Sequence, residues 1–243
     1  MLYGKDLAAI HDAGFSDIAR SVAPVLLKAL ARAGLEDGLV IDLGCGSAVL
    51  AEAIAAEGYE VLGVDTSPEM LRIARERVPS ARFLQASLHN VGLPPAVAIV
   101  GIGEAFSYFG DRPHSERGLA RLFRRIHRAL LPGGILLFDM ASPGRVRRGG
   151  PVRSYFETSD GAVLVTLEEK DRILTRRITS FRQDGSRYRR SEEIHRQELF
   201  ARPLVLRLLR EAGFRARALP GYGGFRLPRG WVAYFASKTA SGR

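Results

Sequence analysis

An apolar run that ends in an acid and passes at once into two glycines forms a corner able to hold a nucleoside. Here the run is Val40-Ile41-Asp42-Leu43-Gly44-Cys45-Gly46-Ser47-Ala48, and a second apolar run ends in Gly63-Val64-Asp65. Glycines let the backbone turn tightly and approach a ligand, and an amphipathic helix follows the turn immediately. About twenty residues on, the Asp65 carboxylate stands where it can accept hydrogen bonds from both ribose hydroxyls. These parts suit a cofactor built on adenosine. A dinucleotide fits poorly, because the G-x-G-x-x-G/A pattern counted from Gly44 and Gly46 puts Val49 where close helix–strand packing wants a small residue.

The run Asp42-Leu43-Gly44-Cys45-Gly46-Ser47 resembles the D-x-G-x-G motif of class I, Rossmann-like S-adenosylmethionine-dependent methyltransferases, whose ligand has no pyrophosphate. In that family a third glycine usually stands where this chain has Ala48. Val61-Leu62-Gly63-Val64-Asp65-Thr66-Ser67-Pro68-Glu69-Met70 looks like the family's second strand, ribose-binding acid and next helix. Arg128-Ala129-Leu130-Leu131-Pro132-Gly133-Gly134-Ile135-Leu136-Leu137 looks like the helix, turn and strand that follow its fourth strand. The resemblance implies S-adenosylmethionine as cofactor, with S-adenosylhomocysteine as product, and no metal. It carries Asp42, Gly44 and Gly46 to the methionine end and Asp65 to the ribose, with Cys45, Thr66, Leu88 and Gly103 adjoining them. Ser87 stands where the family often has an adenine-binding aspartate. Its hydroxyl can accept the same hydrogen bond without charge, and it serves equally well to begin a loop.

The family also keeps its transferable methyl beside the segment that here reads Gly103-Glu104-Ala105-Phe106-Ser107-Tyr108, so Glu104 and Tyr108 become candidates for substrate positioning. Related enzymes use the amino-terminal segment as a cap, which brings in His11 and Phe15. His195, in a segment of strand character, is the remaining candidate for catalysis, and both histidines read equally well as non-catalytic. Residues 151–200 resemble the antiparallel sheet inserted after the fifth strand of some small-molecule N- and O-methyltransferases, including amino-sugar and glycine-type enzymes. The implied activity, of class 2.1.1, is methyl transfer to a nitrogen or oxygen of a small metabolite. Two rivals stay open: a nucleic-acid methyltransferase, and a non-enzymatic module that binds the adenosyl ligand. The Asn/Asp-Pro-Pro-aromatic motif of many amino-group nucleic-acid enzymes is absent after the fourth strand.

Composition agrees with a globular enzyme. The 243 residues are 46% hydrophobic and 26% charged, enough for one domain with an insertion. The single cysteine, Cys45, excludes an internal disulfide and reads as a small side chain fitting the turn. No segment is long and apolar enough to span a bilayer and no signal-peptide pattern opens the chain, so a cytoplasmic location is expected. The formal charge of +10 comes almost wholly from arginines spread along the chain. Only Arg145, Arg147, Arg148 and Arg153 cluster without acids, so a solvated basic surface reads better than a nucleic-acid groove. Whether the chain pairs as a homodimer is left open.

The elements that must position these residues alternate. Pro24 reads as the opening of a helix through Leu26, Leu27 and Leu30 that stops at Gly34. Helical spacing recurs at Leu50, Ala51, Ile54 and Ala55, and Thr66-Ser67-Pro68-Glu69 reads as a capping box before a helix that Pro79 ends. Another helix, Leu119 to Leu130, closes at Pro132-Gly133-Gly134. Apolar runs at 39–43, 60–64, 97–102 and 135–139 lie between them and imply an α/β fold. The expected architecture is a doubly wound, mostly parallel sheet of about seven strands with helices on both faces. After Pro143, the turn signals Ser159-Asp160-Gly161 and Gln183-Asp184-Gly185-Ser186 predict antiparallel strands instead. Pro203 then starts a helix, and Trp231 to Ala236 forms a closing strand. The domains read as a helical cap at 1–35, a core at 36–150 and 201–243, and the insertion at 151–200.

Overall fold

The computed structural model describes residues 2–14, 17–108, 115–146 and 150–239. Its centre is a seven-stranded sheet in the order β10-β13-β5-β4-β1-β2-β3. The strands are β1 (Leu39–Leu43), β2 (Glu60–Asp65), β3 (Arg82–Gln85), β4 (Ala96–Gly101), β5 (Leu130–Ala141), β10 (Phe214–Leu219) and β13 (Trp231–Lys238). All neighbours pair in parallel except β13, which is antiparallel to both β5 and β10. The expected Rossmann-like class is therefore what the chain adopts. Every residue of β4 is buried, the mark of a strand covered on both faces. On one face Ile41, Leu43, Ile99 and Phe138 pack with α5 (Glu116–Ala129) and α6 (Arg202–Glu211). On the other, Val40, Val97 and Leu137 pack with α2 (Asp17–Arg32) and α3 (Val49–Ala56).

From β1 the chain moves outward to β2 and β3, then returns to the other side of β1 with β4 and β5. The strand order reverses between β1 and β4, so a crevice opens beyond their carboxyl ends. The glycine corner leaves β1 there, and Ile102-Gly103-Glu104 leaves β4 there.

The insertion is a four-stranded antiparallel sheet of β6 (Val152–Thr158), β7 (Gly161–Lys170), β8 (Ile173–Asp184) and β9 (Arg187–Glu198). Both signalled turns join its strands, and a third, Asp171-Arg172, does so with φ of 50° and 66° and no glycine. The insertion is tied to the core where Tyr108 bridges Gln197. Of the amino-terminal helices, α1 (Lys5–Gly14) leans on the insertion, its Leu7 and Ile10 packing with Val163 and Ile178. By contrast, α2 belongs to the outer layer of the sheet.

Three local expectations are corrected. Pro24 does not open α2 but lies inside it. The buried stripe Val22, Ala23, Leu26 and Leu30 outweighs one lost backbone hydrogen bond. The cap of α4 (Pro68–Arg77) is Ser67 rather than Thr66, its hydroxyl accepting from Met70 N at 3.1 Å. Finally, Pro132-Gly133-Gly134 does not stand between helix and strand: β5 already begins at Leu130. The three residues form an irregular stretch between the Ala96–Leu130 and Ala98–Ile135 pairs.

Candidate active site

The corner after β1 is held by the acid at the end of β2. Asp65 Oδ2 accepts from Gly46 N at 2.9 Å and Oδ1 from Ser67 N at 2.8 Å, so each oxygen keeps a lone pair for a further donor. Burial pushes the Asp65 pKa above the ordinary carboxylate value, against the pull of these N–H groups. Burial, reinforced by Asp65, pushes Asp42 up to about 7. Ala48, at the family's usual third glycine, is buried in the left-handed region at φ 66°, the conformation for which a glycine is cheapest.

Two cavities meet at this corner. The smaller is lined by Asp65, Thr66, Met70, Ser87, Leu88 and Tyr108. The larger, about 560 Å³, runs beneath the insertion and is walled by Asp42, Cys45, Glu104, Arg145, Arg176 and Trp231, together with apolar side chains of β6, β7 and β8. Tyr3, His11, Gly44, Gly46, Ile102 and Gly103 line both. A methyl built on Gly103, at φ +77°, meets no atom within 4 Å, and one on Gly46 meets only Met70 Sδ at 4.0 Å. The junction is thus a cradle that side chains would fill. A nucleoside end in the smaller cavity and a reacting end at the junction fit these residues.

A buried polar network closes the far side. Glu104, fully buried, takes a charge-assisted hydrogen bond from Arg176 Nη2, and its Oε1 lies 3.2 Å from Arg145 Nη1. The Arg145 guanidinium lies over the Trp231 ring, 4.9 Å from its centre. Glu104 sits at φ 63°, a strained conformation for a residue with a side chain. Asp139 holds it there: Oδ1 accepts from Glu104 N at 2.5 Å and Trp231 Nε1 at 2.7 Å, Oδ2 from Tyr222 OH at 2.9 Å. Arg176 Nη1 donates to Tyr108 OH at 3.2 Å, which lies 3.2 Å from Tyr3 OH. Glu193 accepts from Tyr3 N and Gly4 N, both at 2.8 Å, and pins the amino-terminal segment to β9. Burial would raise the Glu193 pKa, but hydrogen bonds from His195 and these N–H groups win and lower it.

Comparison with known proteins agrees with this geometry. Residues 40–134 match the family model described as a methyltransferase domain. The YqeM protein of Bacillus subtilis is 27% identical over 188 residues, 74% of each chain. A trans-aconitate 2-methyltransferase of Paracidovorax citrulli is 36% identical over 105 residues, which span 42% of this chain and 38% of that enzyme. The solved structure of CalS10, an S-adenosylmethionine-bound amino pentose methyltransferase of Micromonospora echinaspora, superposes with a TM-score of 0.76 over 98% of both chains at 20% identity. The chain carries a methyltransferase domain at 40–134 and has the fold of S-adenosylmethionine-dependent methyltransferases.

Within this methyltransferase fold the expected cofactor residues divide. Asp65, Thr66, Ser87 and Leu88 line the smaller cavity, Asp42 and Cys45 the larger, and Gly44, Gly46 and Gly103 both. Burial raises the Cys45 thiol pKa, in keeping with a side chain that fits a turn. Ser87 lines the smaller cavity, and its hydroxyl accepts from His89 N at 3.3 Å. Of the catalytic candidates, His11 lies at the junction, and burial, aided by the Arg176 charge, lowers its pKa to about 4. Tyr108 lines the smaller cavity, whereas Glu104 is locked between two arginines, which removes it as a free base. His195 lines neither cavity. It stands behind Tyr3 and Tyr108, Nε2 donating to Glu193 at 2.7 Å, because β9 turns it inward. Phe15, Arg147 and Arg148 lie outside the described residues.

Arg145, read from the sequence as part of a surface cluster, is only 11% exposed and walls the larger cavity. Sequence reasoning also passed over Tyr3 and Arg176. Arg176 left a signal: alternation in β8 puts it on the inward face between Leu174 and Ile178, where an apolar residue is the default. No helix among the described residues is long and apolar enough to cross a membrane.

Proposed function

We propose that the chain moves the methyl group of S-adenosylmethionine to a nitrogen or oxygen of a small molecule held in the larger cavity. The observation that carries this reading is the junction of the two cavities at Tyr3, His11, Gly44, Gly46, Ile102 and Gly103. One cavity ends at the ribose-type acid Asp65, and the other is roofed by the insertion and α1. A volume of about 560 Å³ suits a metabolite-sized ligand. A nucleic-acid strand would want an open, basic face. The named acceptors of the relatives, trans-aconitate and an amino pentose, are small molecules too.

Bound S-adenosylmethionine supplies a methyl group already activated on a sulfonium, so the protein's part is mainly positioning and exclusion of water. Asp65, with a lone pair free on each oxygen, holds the ribose hydroxyls, and Ser87 borders the adenine end. Gly46 and Gly103 leave the reacting end unobstructed. His11, neutral at physiological pH, faces the junction and can take a proton from an acceptor that must lose one. Tyr3 and α1, latched by Glu193, keep solvent out.

The test offers the purified protein methyl-labelled S-adenosylmethionine with a fractionated metabolite panel and follows S-adenosylhomocysteine release. Turnover confined to low-molecular-weight fractions and lost in Asp65→Ala is expected. Transfer to RNA instead, or cofactor binding without any turnover across the panel, would replace the proposal by one of its rivals.

A further inference from the structure

We infer that the acceptor is a small, mostly apolar molecule carrying a carboxylate, and that Arg145 and Arg176 are the groups that read it. This rests on the larger cavity being the acceptor site. Two guanidiniums there share the single carboxylate of Glu104, so the triad keeps one positive charge in excess. Its bonding is also incomplete among the described residues: Arg176 Nε is buried without a hydrogen-bond partner, and Arg145 Nη1 and Glu104 Oε1 meet only as an ion pair at 3.2 Å, outside hydrogen-bond geometry. An uncompensated buried charge is costly, and a bound anion compensates it.

The other titratable groups around this cavity offset the excess only in part. Burial raises Asp42 to about 7, so it is half neutral near physiological pH, and His11 is neutral. Asp17 is 85% exposed and solvated. Asp139 lies behind the triad, its oxygens engaged by Glu104 N, Trp231 and Tyr222, and its charge reaches Arg145 without touching either guanidinium, so it offsets the excess only from a distance. A planar carboxylate matches the fork of guanidinium donors, whereas an ammonium acceptor would meet two guanidiniums and a sulfonium. Phe156, Val163, Val165, Ile178 and Phe225 give the wall a broad apolar surface that calls for an apolar body. The strained Glu104 backbone, fixed by Asp139, sets its carboxylate between the two arginines, where it competes with a bound anion for their donors.

The test titrates the S-adenosylhomocysteine complex with phenylacetate and with phenylacetamide, which differ only in charge and donor pattern. In the wild-type protein the acid should bind about tenfold tighter than the amide. Arg145→Gln should erase that preference, while Glu104→Gln, which frees both guanidiniums, should tighten the acid severalfold. S-adenosylhomocysteine affinity, measured first, should stay within about threefold in both variants, since neither side chain lines the smaller cavity. Equal affinity for acid and amide, no acid binding, or a preference that survives Arg145→Gln overturns the inference. So does a weaker acid affinity in Glu104→Gln, should Arg145→Gln not fold. Failure of the wild-type protein to bind S-adenosylhomocysteine would strike the cofactor reading instead.

Discussion

Replacing Asp65 by alanine tests the cofactor corner most directly. The carboxylate accepts backbone N–H groups from Gly46 and Ser67 and has one lone pair left on each oxygen for the ribose hydroxyls. Losing two charge-assisted hydrogen bonds, partly offset by water that fills the space, should cost about 2–4 kcal/mol of binding, or roughly a thirty- to thousandfold rise in Kd. The same change orphans two N–H groups in the folded protein, so stability should fall by about 1–3 kcal/mol as well. Isothermal calorimetry with S-adenosylhomocysteine reads the first effect and urea unfolding the second. A variant that unfolds normally and binds S-adenosylhomocysteine as tightly as the wild type would refute the assignment of Asp65, because nothing else lining the smaller cavity offers two acceptor oxygens.

Other outcomes follow from individual residues. Asp42 has a folded pKa of about 7, raised from an ordinary carboxylate value, so its burial costs stability increasingly from about pH 4 to about pH 7, in full above that and not at all below about 4. Asp42→Asn should therefore gain about 2–3 kcal/mol more stability relative to wild type at pH 8 than at pH 5, and equal urea midpoint shifts at the two pH values would contradict the burial argument. Glu193→Ala removes the acceptor of Tyr3 N and Gly4 N, and hydrogen exchange over residues 2–14 should accelerate at least tenfold, with no acceleration disproving the latch. Ser87→Asp restores the acid common in the family while keeping an acceptor for His89 N; S-adenosylhomocysteine should bind roughly fivefold tighter, and unchanged calorimetric affinity would show that residue 87 does not meet the adenine.

Local order was written in the sequence because its causes are local. Two glycines after Asp42, an acid ending the next apolar run and the helix–strand alternation each act over a few residues or one strand–helix repeat. They were enough to indicate the layered sheet and a corner for an adenosine-built cofactor, which the family resemblance narrowed to S-adenosylmethionine. The hairpin signals around Asp160 and Asp184 likewise revealed the insertion, since turn chemistry is set by two or three residues. Where packing competed with such rules it prevailed: Pro24 lies inside a helix because the stripe around it is buried against the sheet. The acceptor side was hidden for a different reason. Arg145, Arg176 and Glu104 come from a loop, an inserted strand and the end of β4, and Tyr3 reaches them from the amino terminus, so their meeting exists only once the sheet reverses direction and the insertion folds back over it. A charge that looks like solvated surface in sequence becomes a largely buried cavity wall when its neighbours are supplied by chain tens of residues away, and only the tertiary structure decides which of the two it is.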